Sequence, residues 1–267
     1  MTNPSHEGFF FYRRRYPDQF FGECLDISLF CGIMANVRQG WRNFLLYQLL
    51  TGQIGAPQIV ALIIALVLGI SVHEFSHAAA ATWLGDPLPR RQGRLTLAPL
   101  AHLDVMGSLM FVVGGFGWGK PVQYNPFALR AGPRTGPALV SAAGPLSNFI
   151  LALLFAIPTR LLVMSIIGTR GLFAPQSANA VLTLLDLLQN IIYYNLILSL
   201  FNLIPIAPLD GFTILLGLLP PALADQYEQT RTWGFAVLLL LVFVGGGVLG
   251  AILYDPVFSL MHLLIGI

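Results

Sequence analysis

At 267 residues the chain could form one large domain or two small ones, but only 10% of it is charged and 56% is hydrophobic, against roughly 25% charged in a typical soluble protein. That balance, with a mean hydropathy of +0.74, excludes an ordinary water-soluble domain and predicts an all-α polytopic membrane protein. The net charge of +2 contains no long basic run, so nothing in it offers an electrostatic footprint for nucleic acid.

Residues 1–42 read as an N-terminal segment whose structure the sequence leaves open, and 43–267 as one membrane domain. Arg13 to Arg15 suit solvent or anionic headgroups. Cys24 and Cys31 read as small buried hydrophobes rather than a disulfide or metal pair. The first apolar stretch is broken by Glu23 and Asp26 and has no clear cleavage site. Trp41, Phe44, Leu45 and Leu49 would share one side of an interfacial helix.

Four spans follow. Pro57 to Leu84 starts on a proline and stops at Gly85-Asp86-Pro87, Ala138 to Ile157 is closed by Pro158, and about Ala178 to Ile204 is closed by Pro205; each has the length and polarity of a membrane helix. The fourth, Thr232 to Tyr254, is interrupted by Gly245-Gly246-Gly247. The tail after it, Val257 to Ile267, is too short to span. Val105 to Gly117 is apolar and glycine-rich but about half the length of a spanning helix, which predicts a re-entrant or β-hairpin segment around 105–122, covered by protein. No internal repeat is evident, which weighs against a duplicated transporter.

The chemistry is concentrated in His73-Glu74-Phe75-Ser76-His77, an HExxH pattern inside the first span. Residues four apart on a helix share a face, so both imidazoles can reach one Zn2+, and Glu74 beside the first can hold a water as general base. Ionisable groups within a span are costly and by default functional. At 1.5 Å rise per residue, His73 lies roughly 24 Å from Pro57 and roughly 16 Å from Leu84, inside a bilayer. Arg90, Arg91 and Arg94 follow the Leu84 end and place it in the cytoplasm, although Arg38 and Arg42 pull the other way.

A catalytic zinc needs a third protein ligand and an open position. Asp210, in Asn202-Leu203-Ile204-Pro205-Ile206-Ala207-Pro208-Leu209-Asp210-Gly211, is the best candidate, on backbone that its prolines keep out of regular helix; a surface Asp-Gly turn is the alternative. His102 and Asp104 are read as structural, fixing the start of the 105–117 segment. Asn195, Ser199 and Asn202 form a stripe that either packs against a neighbouring helix or, with Asn202, orients Asp210 or the metal histidines. Asp186, inside the third span, must face protein or water.

With these residues in hand, the chain resembles the site-2 protease family of intramembrane metalloproteases. The resemblance runs over about residues 43 to 217, through HEFSH, NLIPIAPLDG, GRLTLAPLAHLDVMGSL, GFGWGKPVQYNP and SAAGPLSN. It is to the compact bacterial type, without PDZ or CBS domains. Val105 stands where relatives usually have proline, and Phe212 where a second glycine often follows Asp-Gly. The resemblance implies that His73, His77 and Asp210 ligate zinc, that Glu74 is the catalytic base, and that a transmembrane protein is cut within the lipid bilayer of a bacterial cell membrane. It also implies a role near the site for Asn148, either as a substrate or transition-state contact or in interhelical hydrogen bonding. The rival reading is a zinc-binding scaffold or transporter without proteolysis, which Glu74 disfavours. The oligomeric state is not written in the sequence.

Overall fold

The computed structural model describes residues 55–114, 117–168 and 175–266. The expectations for residues 1–42, the interfacial helix and the two cysteines lie outside them.

Ten α-helices are described: α1 (Ala56–Trp83), α2 (Leu88–Arg91), α3 (Val105–Gly114), α4 (Gly132–Gly168), α5 (Pro175–Asn202), α6 (Asp210–Leu218), α7 (Pro221–Gln229), α8 (Arg231–Phe243), α9 (Gly246–Leu249) and α10 (Asp255–Ile265). A π-helical turn, Gly250–Tyr254, leads into α10. Among the described residues three helices are long and apolar enough to cross a membrane: α1, α4 and the Ala180–Asn202 part of α5. They pack against one another pairwise, and α6 packs on α4.

Their surfaces are arranged for lipid. Leu154, Ile157 and Leu161 of α4 are 57%, 62% and 63% exposed; leaving such side chains in water would cost about 1.5–3 kcal/mol each. The buried positions are small or polar instead, including Ala65, Ser71, Asn148, Ala152, Asn195 and Ser199, the pattern by which membrane helices approach closely and bond to one another. At one end Ala152 and Ala156 of α4, Ile192 and Leu196 of α5 and Val257 and Ile265 form one apolar cluster. Ile204, Leu209, Leu238 and Leu253 form a second, under the segment that carries Asp210.

Two sequence expectations change. Helix α4 does not stop at Pro158 but runs 37 residues with Pro137, Pro145 and Pro158 inside it. Pro158 leaves Leu154 O without its helical amide donor, and the Thr159 hydroxyl adds a bond to the neighbouring Phe155 O at 2.7 Å. The expected fourth span is not one helix: α8 has 13 residues and ends at Val244 and Gly245, whose amides both turn back to Leu240 O. The chain resumes in α9, so the apolar helices here, Arg231–Val242 and Gly250–Ile265, are short.

Residues 105–122 begin as a helix rather than a hairpin. Asp104 caps α3, its Oδ1 accepting from Gly107 N at 2.8 Å, as a helix N-terminus asks. Among the described residues there is no strand, only an isolated antiparallel bridge between Leu103 and Gly119.

Candidate metal centre

His73 and His77 lie in the half of α1 nearer Leu84, both buried, with ring centroids 4.5 Å apart and planes at 89°. Asp210 is brought to them from the start of α6. Its Oδ2 is 3.1 Å from His73 Nε2 and 3.3 Å from His77 Nε2, and the two Nε2 atoms are 3.0 Å apart. A tetrahedral zinc with bonds of about 2.0–2.2 Å sets its donor atoms roughly 3.3–3.5 Å apart, so the triangle is nearly the right size as it stands.

The tautomers show what belongs at its centre. His73 Nδ1 donates to Asn148 Oδ1 at 2.6 Å, and His77 Nδ1 donates to Val140 O at 2.8 Å. With the protons on Nδ1, both Nε2 atoms are lone-pair acceptors. Two lone pairs and a carboxylate oxygen then converge, and Asp210 Oδ2 is buried with no hydrogen-bond donor among the described residues. Three buried acceptors repel unless a cation is shared among them, and two imidazoles with one carboxylate are a catalytic zinc donor set. His73, His77 and Asp210 therefore fit the metal.

The second layer comes from α4 and α5. Asn148, 0% exposed, donates through Nδ2 to Gly69 O at 3.0 Å and to Asn195 Oδ1 at 2.7 Å, and Asn195 Nδ2 donates to Ile191 O. Ser199 Oγ donates to Pro145 O at 2.8 Å. Asn202 behaves differently, its Nδ2 donating to Leu198 O of its own helix at 2.9 Å. The polar stripe on α5 thus divides: Asn195 and Ser199 reach α4, while the described amide bond of Asn202 stays within α5.

Gly144 permits the approach of α4. A Cβ there would come within 2.5 Å of the His77 ring and 2.6 Å of His73 Cε1, so a larger residue would push the helix off the histidines. SAAGPLSN was visible as a motif in the sequence, but what its glycine faces was not.

Glu74 is buried, and its Oε2 has no hydrogen-bond partner among the described residues. A Cβ on Gly119 would lie 3.1 Å from Glu74 Oε1, so the extended stretch 117–120 passes against the carboxylate. That stretch is held from behind. Lys120 N donates to His102 O at 2.7 Å, and the buried Arg94 guanidinium donates to both Ala101 O and Lys120 O. His102 Nε2 donates to Thr96 O at 2.6 Å. His102 and Asp104 sit outside the ligand triangle, and Arg94, read from the sequence only as a topology charge, is a backbone clamp.

Residues 160–244 match the model of peptidase family M50, a stretch that includes Asp210. The chain is 41% identical over 182 residues to "Putative zinc metalloprotease YwhC" of Bacillus subtilis, covering 67% of this chain and 78% of that protein. It is 30% identical over 187 residues to "Putative zinc metalloprotease Rip2" of Mycolicibacterium smegmatis (66% and 64%) and 32% identical over 192 residues to the protein of the same name in Mycobacterium tuberculosis H37Rv (70% and 68%). No solved structure matches. The coverage and identity, with HExxH and the Asp210 segment brought to one point, show that the chain belongs to peptidase family M50, the site-2 protease family of zinc metalloproteases.

Proposed function

We propose that this protein is an intramembrane zinc endopeptidase that hydrolyses peptide bonds within transmembrane segments of other membrane proteins, its working domain running over 43–267. The carrying observation is the convergence of Asp210 Oδ2, from the start of α6, with His73 Nε2 and His77 Nε2 within 3.0–3.3 Å, the two histidines lying on a helix long and apolar enough to cross a membrane. Exposed Arg90, Arg91 and Arg130 at the Leu84 end favour that end as cytoplasmic, which sets the site nearer the cytoplasmic face.

Zinc, when bound, lowers the pKa of a water and polarises the scissile carbonyl. The rest is the work of side chains. Glu74 takes the proton of the attacking water and returns it to the leaving amine, a role supported by its buried Oε2, which has no hydrogen-bond partner among the described residues. Asn148 keeps His73 in its Nδ1–H form, so that Nε2 faces the metal, and this positioning role has better support than direct substrate contact. Val140 O does the same for His77. The backbone beside Glu74 at 117–120, within a segment that re-enters the membrane region through α3, would hold a locally unwound substrate in extended form.

The test compares zinc content and cleavage of a transmembrane substrate for wild type and Glu74→Gln in detergent. Equal zinc, with cleavage reduced on the order of 10²–10⁴-fold, is expected. Wild type that holds zinc and cuts none of several substrates would favour a zinc-binding scaffold or transporter instead.

A further inference from the structure

Asp210 has no regular structure on its N-terminal side. Residues 203–209 are turns and bends in which Pro205 and Pro208 offer no amide hydrogen, and the backbone bonds there are short-range, Ile206 N to Ile204 O and Leu209 N to Ile206 O. The strap folds tightly on itself, since a Cβ at Gly211 would overlap Leu203 O. A carboxylate on such backbone takes its position from whatever the strap is packed against.

The corner between α7 and α8 makes two contacts with the strap and two with Phe212 just beyond Asp210. The Tyr227 hydroxyl donates to Pro205 O at 2.7 Å. Gly234 of α8 lies so close to Ala207 that a Cβ would come within 2.5 Å of its carbonyl oxygen and 2.6 Å of its Cβ. Past Asp210, Phe212 is 1% exposed and stacks on Tyr227 with centroids 4.5 Å apart and planes at 28°, while the Arg231 guanidinium carbon sits 4.7 Å from the Phe212 centroid. Arg231 is itself aimed by Glu228, through Nε to Oε1 at 2.5 Å and Nη2 to Oε2 at 3.0 Å, and Thr230 Oγ1 to Tyr227 O at 2.7 Å steadies the joint.

We propose that Tyr227 and Arg231 are positioning residues for Asp210, so that a corner contributing no ligand sets the geometry of the metal centre. Tyr227 grips the chain on both sides of Asp210, at Pro205 in the strap and at Phe212 in α6, and Arg231 adds a cation to the same ring. The grip depends on the side chain at 212, since a glycine there would give neither the Tyr227 ring nor the Arg231 cation a surface. The Arg231–Glu228 pair is half exposed and adds little to stability as an ion pair; its value lies in holding the guanidinium over Phe212.

The inference rests on the reading of His73, His77 and Asp210 as zinc ligands, and its test separates the two. Zinc release from the full-length detergent-purified protein to a chromogenic chelator is measured for wild type, Asp210→Asn, Tyr227→Phe, Arg231→Met and Arg231→Lys, with the absorption of the cobalt-substituted proteins as a readout of ligand geometry. Tyr227→Phe keeps the stack and deletes only the hydroxyl. It and Arg231→Met are expected to release zinc roughly tenfold faster, as loss of groups orienting a ligand does, and to shift the cobalt bands at unchanged helix content, with Arg231→Lys recovering most of the effect. Wild-type release and spectra in both, beside fast release from Asp210→Asn, would overturn this inference alone. Wild-type release from Asp210→Asn would overturn the ligand assignment and the inference with it.

Discussion

The amide of Asn148 is locked in one orientation toward His73. Its Oδ1 accepts from His73 Nδ1 at 2.6 Å, and both hydrogens of its Nδ2 are committed, to Gly69 O and Asn195 Oδ1, so a flipped amide would oppose two acceptors. One side chain of α4 therefore joins α1 and α5 and selects the tautomer of a metal ligand. Asn148→Ala should lower zinc affinity by about 10–100-fold, measured by chelator competition. Wild-type affinity would show that the bond serves packing alone.

Gly144→Ala should displace α4 from the histidines, because the added methyl would sit 2.5 Å from His77 ring atoms. Overpacking of this kind costs about 1–3 kcal/mol, and here the strain falls on the ligands. Substoichiometric zinc and a lowered melting temperature are the expected results. Full zinc occupancy with unchanged melting would mean that the helices part without disturbing the site.

Arg94→Met should leave Ala101 O and Lys120 O without their shared donor, at about 1 kcal/mol for each of these part-buried bonds. Because the loosened stretch passes against Glu74, kcat/KM for a transmembrane substrate should fall about tenfold or more, while zinc content stays at the wild-type level. Arg94→Lys, which offers one donor point rather than a fork, should fall between. Loss of zinc in Arg94→Met would place its effect on the fold as a whole.

Removing the metal should cost stability as well as activity. With three acceptor atoms 3.0–3.3 Å apart, the zinc-free state carries their repulsion, and ligand at 100–1,000 times its Kd stabilises by about 2.7–4.1 kcal/mol. Thermal unfolding in detergent with and without chelator should differ accordingly, and added zinc should restore both melting temperature and cleavage. Asp210→Asn should abolish most of that difference; a full difference in this variant would remove Asp210 from the ligand set.

Local features were legible in the sequence. HExxH is a spacing argument within one helix, so His73, Glu74 and His77 needed no tertiary information. The glycines at 245–247 marked the break after α8, and Asp104 marked the start of α3. Pro158 misled because a proline removes only one helix hydrogen bond, that to Leu154 O, and the packing of α4 against α1 and α5 carries the helix through it. The stripe Asn195, Ser199 and Asn202 was visible, but periodicity cannot say which members meet a neighbour. The packing of α5 on α4 decided that Asn195 and Ser199 do, while Asn202 bonds its own helix.

By itself the sequence determined a membrane chain with two histidines and a glutamate on one apolar helix and an aspartate on proline-broken backbone far downstream. Only the tertiary structure decided that these become one site. The triangle of donor atoms, the Asn148 lock on His73, the Gly144 approach and the grip of Tyr227 and Arg231 on the Asp210 strap all join residues far apart in the chain. A helix dictates what shares its own face, whereas distances across helices are set by how small and polar side chains let those helices meet.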